Sequence, residues 1–465
     1  MPHDLTRPSD PSLAPGEARC PGPSTRDIIV ADADGAPEVL TTERYTFLGD
    51  ADVSFDRYTS QQIFEREMTH LWPRTWQWAC REEHIPNVGD WIVYDVGRHS
   101  FIVVRSTADR VQAFYNSCPH RGTQLCEPGT QGRGDRTFRC PFHGFAWKVD
   151  GRLHSVPCRW DFPHIVDAAF GLPEAQVARW GGFVFINPDA EAAPLDDFLE
   201  VLPDHFQAWP LEDRFVSLHI EKVLPANWKM AMEAFLEAYH VFATHSQSLF
   251  LAGDANAQYD VFGEHVTRFI HTIGFPSPHL AKPPSDEQLA KMMGAWDPET
   301  GPERLAAGAT ARTFAAEKSR AELGERFGVD LSNVSNSEML DSIEYHLFPN
   351  MCLFPGITLP MIYRFRPNGM DVDSSLMEIL FMAPVPPEGR PEPAPVVRLG
   401  EDESYTTAPG FDPGLAGVYD QDTSNLRRQR DGVKAAKKPG QTLGNYQEVR
   451  IRRFHMTLDQ VLSRS

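Results

Sequence analysis

Four side chains in one stretch, "NSCPHRGTQLCEPGTQGRGDRTFRCPFHGFAW" (116–147), have the chemistry of metal ligands: Cys118, His120, Cys140 and His143. They form two Cys/His pairs on tight loops, with residues 121 to 139 between them. Thiolate and neutral imidazole suit zinc and iron–sulfur clusters alike, so composition alone leaves both open. The arrangement favours a cluster. A Cys₂His₂ zinc finger puts both cysteines on one element and both histidines on another, whereas here each loop mixes the two. Gly122 and Gly144 follow the histidines and let the loops pack closely on an inorganic core. Cys126 and Cys158 lie nearby without a histidine at matching spacing and read as small packed residues.

A second pair of imidazoles sits in "NWKMAMEAFLEAYHVFATH" (227–245), at His240 and His245. On a regular helix, residues five apart diverge by about 140°. Convergence on one metal therefore needs a bulge or break between them, of a kind that favours functional sites. Taken alone, one of the two would be a capping or core histidine.

These two segments together carry a resemblance. "CPHRGTQL…CPFHGFAWKVDGRL" resembles the cluster signature of the Rieske non-heme iron oxygenases, catalytic (alpha) subunits of the aromatic-ring-hydroxylating dioxygenase family. That signature is Cys-x-His followed by Cys-x-x-His, and the gap here is longer than usual. Asn227, Trp228, Lys229, Glu233, Glu237, Tyr239, His240 and His245 are similar to the family's second motif. The resemblance implies a [2Fe-2S] Rieske cluster with one iron on Cys118 and Cys140 and the other on His120 and His143. It also implies a mononuclear Fe(II) on His240, His245 and one carboxylate, the facial triad that leaves positions open for O₂.

The carboxylate is drawn in this family from a distant C-terminal helix. "VYDQDTSNLRRQRDG" (418–432) resembles that element, and its register with Gln429 selects Asp422, with Asp420 as the close rival. By the same resemblance Glu237, three residues before His240, bridges to a cluster histidine of a neighbouring subunit, so that electrons pass through His143 and Glu237. Glu233 and Lys229 continue that face at four-residue steps and read as an ion pair. One departure stands out: Ala234 occupies the place where many members have an asparagine near the iron.

Elements must hold these groups in place. Residues 1 to 45 form an N-terminal arm rich in Pro, Gly and Asp, poorly ordered or wrapping. Residues 46 to 75 are a helical lead-in packing on the catalytic domain, with a helix through "SQQIFEREMTHLW" (60–72). From 76 to 190 short strands rich in Val, Ile, Phe and Tyr predict a small all-β domain around the Cys/His loops. Residues 191 to 465 predict the catalytic domain, and 276 to 340 an insert or lid over it. The fold class is α+β. The resemblance makes the second domain an antiparallel sheet with flanking helices, a helix-grip of START-like form.

Composition narrows the partners. Lys and Arg number 44 against 64 Asp and Glu, a formal charge of −20, which argues against a nucleic-acid ligand. The sequence shows no apolar run of transmembrane length and no secretory apolar core near Met1, so a cytoplasmic chain without membrane attachment is expected. Seven cysteines in a long chain fit reduced thiols and a metal site better than disulfides.

The chain shows no Gly-rich nucleotide fingerprint, in keeping with electrons borrowed from NAD(P)H through a separate reductase or ferredoxin. The expected activity is that of a terminal oxygenase, an oxidoreductase incorporating O₂. It would mono- or cis-dihydroxylate an apolar cyclic or aromatic substrate, as in aromatic hydrocarbon catabolism; demethylation uses the same irons. A head-to-tail homotrimer is implied by the resemblance, with a β subunit left open. Phe235, Val241 and Phe242 flank the ligands and either line the substrate cavity or pack as core. The run Arg427, Arg428, Arg430, Lys434, Lys437 and Lys438 offers a ferredoxin dock, although a solvated helix face is the preferred reading. Two other classes compete: a Rieske electron carrier or redox sensor without oxygenase activity, and a zinc-stapled scaffold.

Overall fold

The computed structural model describes residues 5, 8–294 and 309–464. It divides into two compact units. The smaller comprises Gln61–Phe198, Arg366–Asp371 and Gln460–Ser465; the larger comprises Met1–Ser60, Leu199–Phe365 and Val372–Asp459. The lead-in expected on the catalytic domain is therefore split at Ser60. Its helix, Gln61–Arg66 followed by a wider turn over Glu67–Leu71, belongs to the small unit.

The small unit is built on β-structure. A seven-stranded sheet runs in the order Gln77–Arg81, Phe183–Asn187, Glu174–Trp180, Val111–Tyr115, His99–Arg105, Trp91–Val96, Gln131–Gly132. A three-stranded sheet joins Thr137–Arg139, Ala146–Lys148 and Leu153–Ser155. The sequence "FVFIN" is buried at all five positions, as expected where both sheet faces are covered. Ile102, Val104, Phe114, Phe138, Phe145 and Trp147 form a core cluster that includes Cys118 and Cys140.

The larger unit is organised by an eight-stranded sheet. Its strands are β1 (Arg214–Leu224), β2 (Ala252–Val261), β3 (Val266–Ile273), β4 (Ser342–Leu347), β5 (Met351–Leu353), β6 (Met361–Asn368), β7 (Asp371–Pro384) and β8 (Val396–Leu399). They lie in the order β2-β3-β4-β5-β6-β7-β1-β8. The recorded pairings are antiparallel except for β8, which adds parallel to β1 at one edge. Helices pack with this sheet, so the α+β class holds.

Strand alternation decides which side chains one face of the sheet presents. In β3, Phe269, His271 and Ile273 share one face; in β4, Ser342 and Glu344 do; in β6, Met361 and Tyr363 do. These seven side chains line one cavity.

The N-terminal arm wraps rather than trails. Ser24 caps the helix Thr25–Ala31 in a capping box with Asp27. The Thr25 hydroxyl donates to the Asn256 carbonyl at 2.8 Å. Asp32 and Asp341 both pair with the buried Arg312 guanidinium, at 2.8 and 2.6 Å. Within the expected insert, the described residues form helices Asp286–Met292, Ala311–Phe327 and Asn336–Leu340 with apolar contacts of their own, and residues 295–308 lie outside the described set. None of the described residues from 276 to 340 lines the cavity, so the lid expected there is not seen among them.

Candidate active site and metal centres

In the small unit the two Cys/His loops are the same turn built twice. Cys118 N–H donates to the Thr123 carbonyl at 2.8 Å, and Gly122 N–H returns to the Cys118 carbonyl at 2.8 Å. In the second loop Cys140 N–H donates to Phe145 at 2.8 Å, and Gly144 N–H returns to Cys140 at 3.0 Å. The glycines serve this turn. Gly122 and Gly144 have φ of +79° and +76°, conformations side chains resist, while a Cβ at either would meet no severe clash.

The loops orient donors as well. Burial pushes the Cys140 thiol pKa up, but the backbone N–H groups of His143 and Phe142 aimed at its sulfur outweigh this and favour the thiolate. The His120 ring stacks on Phe145, 4.5 Å between centroids, and its Nδ1 is buried with no hydrogen-bond partner. An orphaned ring nitrogen beside two buried sulfurs is what a metal ligand looks like before its metal. The His120 and His143 rings lie 4.8 Å apart.

The spread of the four donors bears on which metal fits. A single tetrahedral zinc holds its ligand atoms within about 4 Å of one another. Among the described residues, the group of three or more such side chains with ligand atoms within 4.8 Å is a different one, His240, His245 and Asp422. The Cys/His donors do not form so compact a group. Cys126 is half-buried against the core, as expected, whereas Cys158 is exposed at a left-handed φ of +52° and is not a packed residue.

In the larger unit, residues 227 to 245 are not one bulged helix. Asn227 caps the helix Trp228–Glu233, its side chain accepting from Lys229 N–H at 3.2 Å. The chain then leaves helical geometry until a short helix at Val241–Thr244. His240 precedes this turn of helix and His245 follows it at φ −119°, ψ 45°. The bulge or break expected between the histidines is not there. They flank one helical turn, with Thr244 N–H on the His240 carbonyl at 2.8 Å and His245 N–H on the Val241 carbonyl at 3.0 Å, and the helix is interrupted ahead of His240 instead. Their ring centroids are 5.3 Å apart.

Asp422 meets them from the helix Pro413–Ser424, capped by Asp412 with Pro413 at its first position. Its Oδ1 lies 2.6 Å from His245 Nε2 and 3.3 Å from His240 Nε2. The rival Asp420 points elsewhere and accepts hydrogen bonds from the Ser404 hydroxyl and from Tyr405 N–H. Each imidazole is fixed through its other nitrogen. Glu237 Oε1 accepts from His240 Nδ1 at 2.9 Å, and Oε2 accepts from the His240 backbone N–H at 2.9 Å. Gln421 Oε1 accepts from His245 Nδ1 at 2.9 Å and also from the Gln247 amide, which sets its orientation. With Nδ1 of each ring engaged in this way, Nε2 is the atom that each imidazole turns toward Asp422.

The electrostatics suit a cation. Burial acts to lower the His240 pKa, yet the hydrogen bonds and charges of Asp422 and Glu237 overcome it and raise it to about 10. Burial likewise works to raise the Asp422 pKa, and the two histidines hold it below the ordinary carboxylate value. A pocket that retains positive charge this firmly, with two nitrogens and a carboxylate converging, fits a divalent metal.

The triad lines a cavity of about 210 Å³. Ala234, Phe235, Val241, Leu251, Phe269 and Met361 supply much of its apolar wall. Phe242 does not line it: one residue beyond Val241 it turns outward, 48% exposed, against the His279 ring. Glu233 and Lys229 are both buried; Tyr58 O–H donates to the Glu233 carboxylate at 2.8 Å, and His455 Nε2 lies 2.8 Å away. Most of the basic run is spent locally: Arg427 on Glu401 and Asp402, Arg430 on Asp431, Lys434 on Asp373, Lys438 on Asp52.

Several site residues were not singled out by their sequence. Gln421, Tyr419 (bonded through its hydroxyl to that of Tyr363) and Arg450 act across the fold. Arg450 donates to the Leu236 carbonyl at 3.0 Å and to Glu344 at 2.8 Å, tying the catalytic turn to the cavity floor. Only Tyr419 had a local signal, one helical turn before Asp422 on the same face.

Comparison with known proteins agrees with this architecture. Residues 204–464 match the family model of the ring hydroxylating alpha subunit (catalytic domain), and residues 75–165 match that of the Rieske [2Fe-2S] domain. The chain belongs to the ring-hydroxylating oxygenase alpha subunits, a family of oxidoreductases. Its cofactors are those of these domains, a [2Fe-2S] cluster and a mononuclear iron.

Among its relatives, the anthranilate 1,2-dioxygenase large subunit of Acinetobacter baylyi is 32% identical over 203 residues, 42% of each chain. The carnitine monooxygenase oxygenase subunit of Escherichia coli is 32% identical over 191 residues, 40% of this chain and 50% of that one. The chain thus spans half or less of the length of these relatives. Two solved structures share the fold: a quaternary ammonium Rieske monooxygenase in complex with L-carnitine (TM-score 0.60, 17% identity, 88% of this chain and 95% of that one) and naphthalene 1,2-dioxygenase with indole bound (TM-score 0.60, 18% identity, 91% and 95%). No helix among the described residues is long and apolar enough to cross a membrane.

Proposed function

We propose that this chain is the terminal oxygenase component of a multicomponent system, taking NAD(P)H electrons from a separate reductase or ferredoxin. It hydroxylates an apolar cyclic or aromatic substrate with O₂. Cys118 and Cys140 would hold one cluster iron, His120 and His143 the other; His240, His245 and Asp422 would hold the mononuclear iron. When bound, the cluster supplies single electrons and the mononuclear iron activates O₂.

The protein's own part is positioning. Glu237 and Gln421 keep protons on the Nδ1 atoms, so that both Nε2 atoms are available as ligands. Phe235, Val241 and the sheet side chains keep water from the reacting face. Of the three candidates for substrate contact, Phe235 and Val241 remain, and Phe242 is set aside. The assembly follows the family as a homotrimer, in which His143 and Glu237 stand at the two ends of the electron path.

The observation that carries this reading is the convergence of two Nε2 atoms and one carboxylate within an apolar cavity. Size supports the substrate class: a cavity of about 210 Å³ exceeds the ~150 Å³ that admits benzene.

Metal and sulfide analysis with EPR on protein purified without air tests it. Three irons and two sulfides per chain, with oxygenated product once a reductase is supplied, are expected. Two irons without product would leave an electron carrier, and zinc without sulfide a scaffold.

A further inference from the structure

The cavity is not uniformly apolar. On β3 the alternation that brings Phe269 and Ile273 to its floor brings His271 between them. On β4 the partner directly across from His271 is Ser342, which also lines the cavity. The two side chains form one polar ledge on an apolar floor.

His271 is 8% exposed, and its Nε2 is enclosed without a hydrogen-bond partner. Buried polar atoms are nearly always satisfied, and an unsatisfied one is costly. The other ionisable groups of the cavity are engaged: Glu344 with Arg450, Glu237 with His240, Asp422 with both triad histidines. The orphan in this set is the imidazole of His271.

We propose that His271, with Ser342 beside it, anchors an uncharged hydrogen-bonding group of the substrate, a hydroxyl or carbonyl, while the apolar remainder lies against Phe235 and Met361 near the triad. This rests on the oxygenase reading above and narrows its substrate class to an apolar ring carrying one such group. A neutral imidazole offers one N–H and one lone pair, and so suits either function. Burial keeps the ring neutral, holding its pKa down to about 4 against the pull of Asp254, whose own carboxylate is bound by the Ser277 hydroxyl at 2.6 Å. A carboxylate substrate would find no free cation at this ledge, and an ammonium no free anion.

The test uses anaerobic, iron-loaded protein and calorimetric titration with matched probes: indane, 1-indanone, 1-indanol, indane-2-carboxylate and phenyltrimethylammonium. The ketone and alcohol should bind at least about fivefold more tightly than indane, the scale of one net hydrogen bond. His271→Phe should erase that preference while leaving indane within about twofold. His271→Gln should keep it, and Ser342→Ala should reduce it, which provides a readout if the Phe variant does not fold.

Indane binding as tightly as indanone, a charged probe binding best, no neutral probe binding, or His271→Phe weakening all probes alike would each overturn the proposal. Two irons per chain would overturn the oxygenase reading instead, whatever the probes do. Three irons with no neutral preference would overturn only the role of His271.

Discussion

The two metal-binding regions are made in opposite ways. In the small unit, each half of the donor set is a six-residue turn closed by its own backbone, and both turns come from one short stretch. In the larger unit, His245 and Asp422 are 177 residues apart in sequence, and each imidazole is oriented by a side chain outside the ligand set. The first centre is written into local chain geometry. The second exists only when a helix break, a distant helix and a sheet floor meet. Damage should therefore stay local in the first and spread in the second.

The largest effects come from the donors. Asp422→Ala should abolish product and lower the iron count by one while the cluster's spectrum stays. Cys140→Ala should remove the cluster and its sulfide while leaving the triad's iron. Loss of both centres in either variant would break the comparison.

Next is Arg450, which touches no proposed ligand. Arg450→Met leaves Glu344 buried without its partner, a change that typically costs about 3–5 kcal/mol. Burial has already pushed the Glu344 pKa up to about 7, against the opposing effect of Arg450, so the orphaned acid can take up a proton. The cost should thus sit near 3 kcal/mol and be larger at pH 8 than at pH 6, read by denaturant titration.

Smaller losses belong to the groups that orient the imidazoles. Glu237→Ala should reduce turnover or iron affinity by about 10- to 100-fold with the cluster intact. Gln421→Leu should do less, roughly tenfold, because a neutral amide is the weaker acceptor. An equal effect of the two would show that acceptor charge does not matter here.

Acid gives the mildest contrast. Burial holds His346 neutral and pulls its pKa from 6.5 to about 3, with Arg450 adding to the shift. Below pH 6.5 the unfolded chain takes a proton that the folded chain refuses, so stability falls as pH drops from 6.5 toward 3, by up to about 1.4 kcal/mol per unit. His346→Gln should flatten that slope in unfolding curves recorded between pH 7 and 5.

How much of this was legible follows from the same contrast. The Cys/His loops could be read because their spacing is their geometry, although the left-handed φ that Gly122 and Gly144 supply to the turns was not visible in the sequence. His240 and His245 could be read as a pair, but the break expected between them lies ahead of His240. The form of that break, a non-helical passage ahead of His240 and an exit at His245, could not be read. Phe242 looked equivalent to Val241 because adjacency in sequence does not say which side of a short helix faces inward.

By itself the sequence determined which chemistry the chain carries: paired thiolates and imidazoles on short loops, a second pair of imidazoles, an α+β order of elements and an acidic surface. Those follow from residue type and from interactions spanning a few positions. Tertiary structure alone brought Asp422 rather than Asp420 against the two histidines, supplied Gln421 and Arg450, turned Phe242 outward and left His271 facing a cavity without a partner. Each of these depends on which distant strands and helices come within hydrogen-bond reach, and a one-residue change of face reverses the answer.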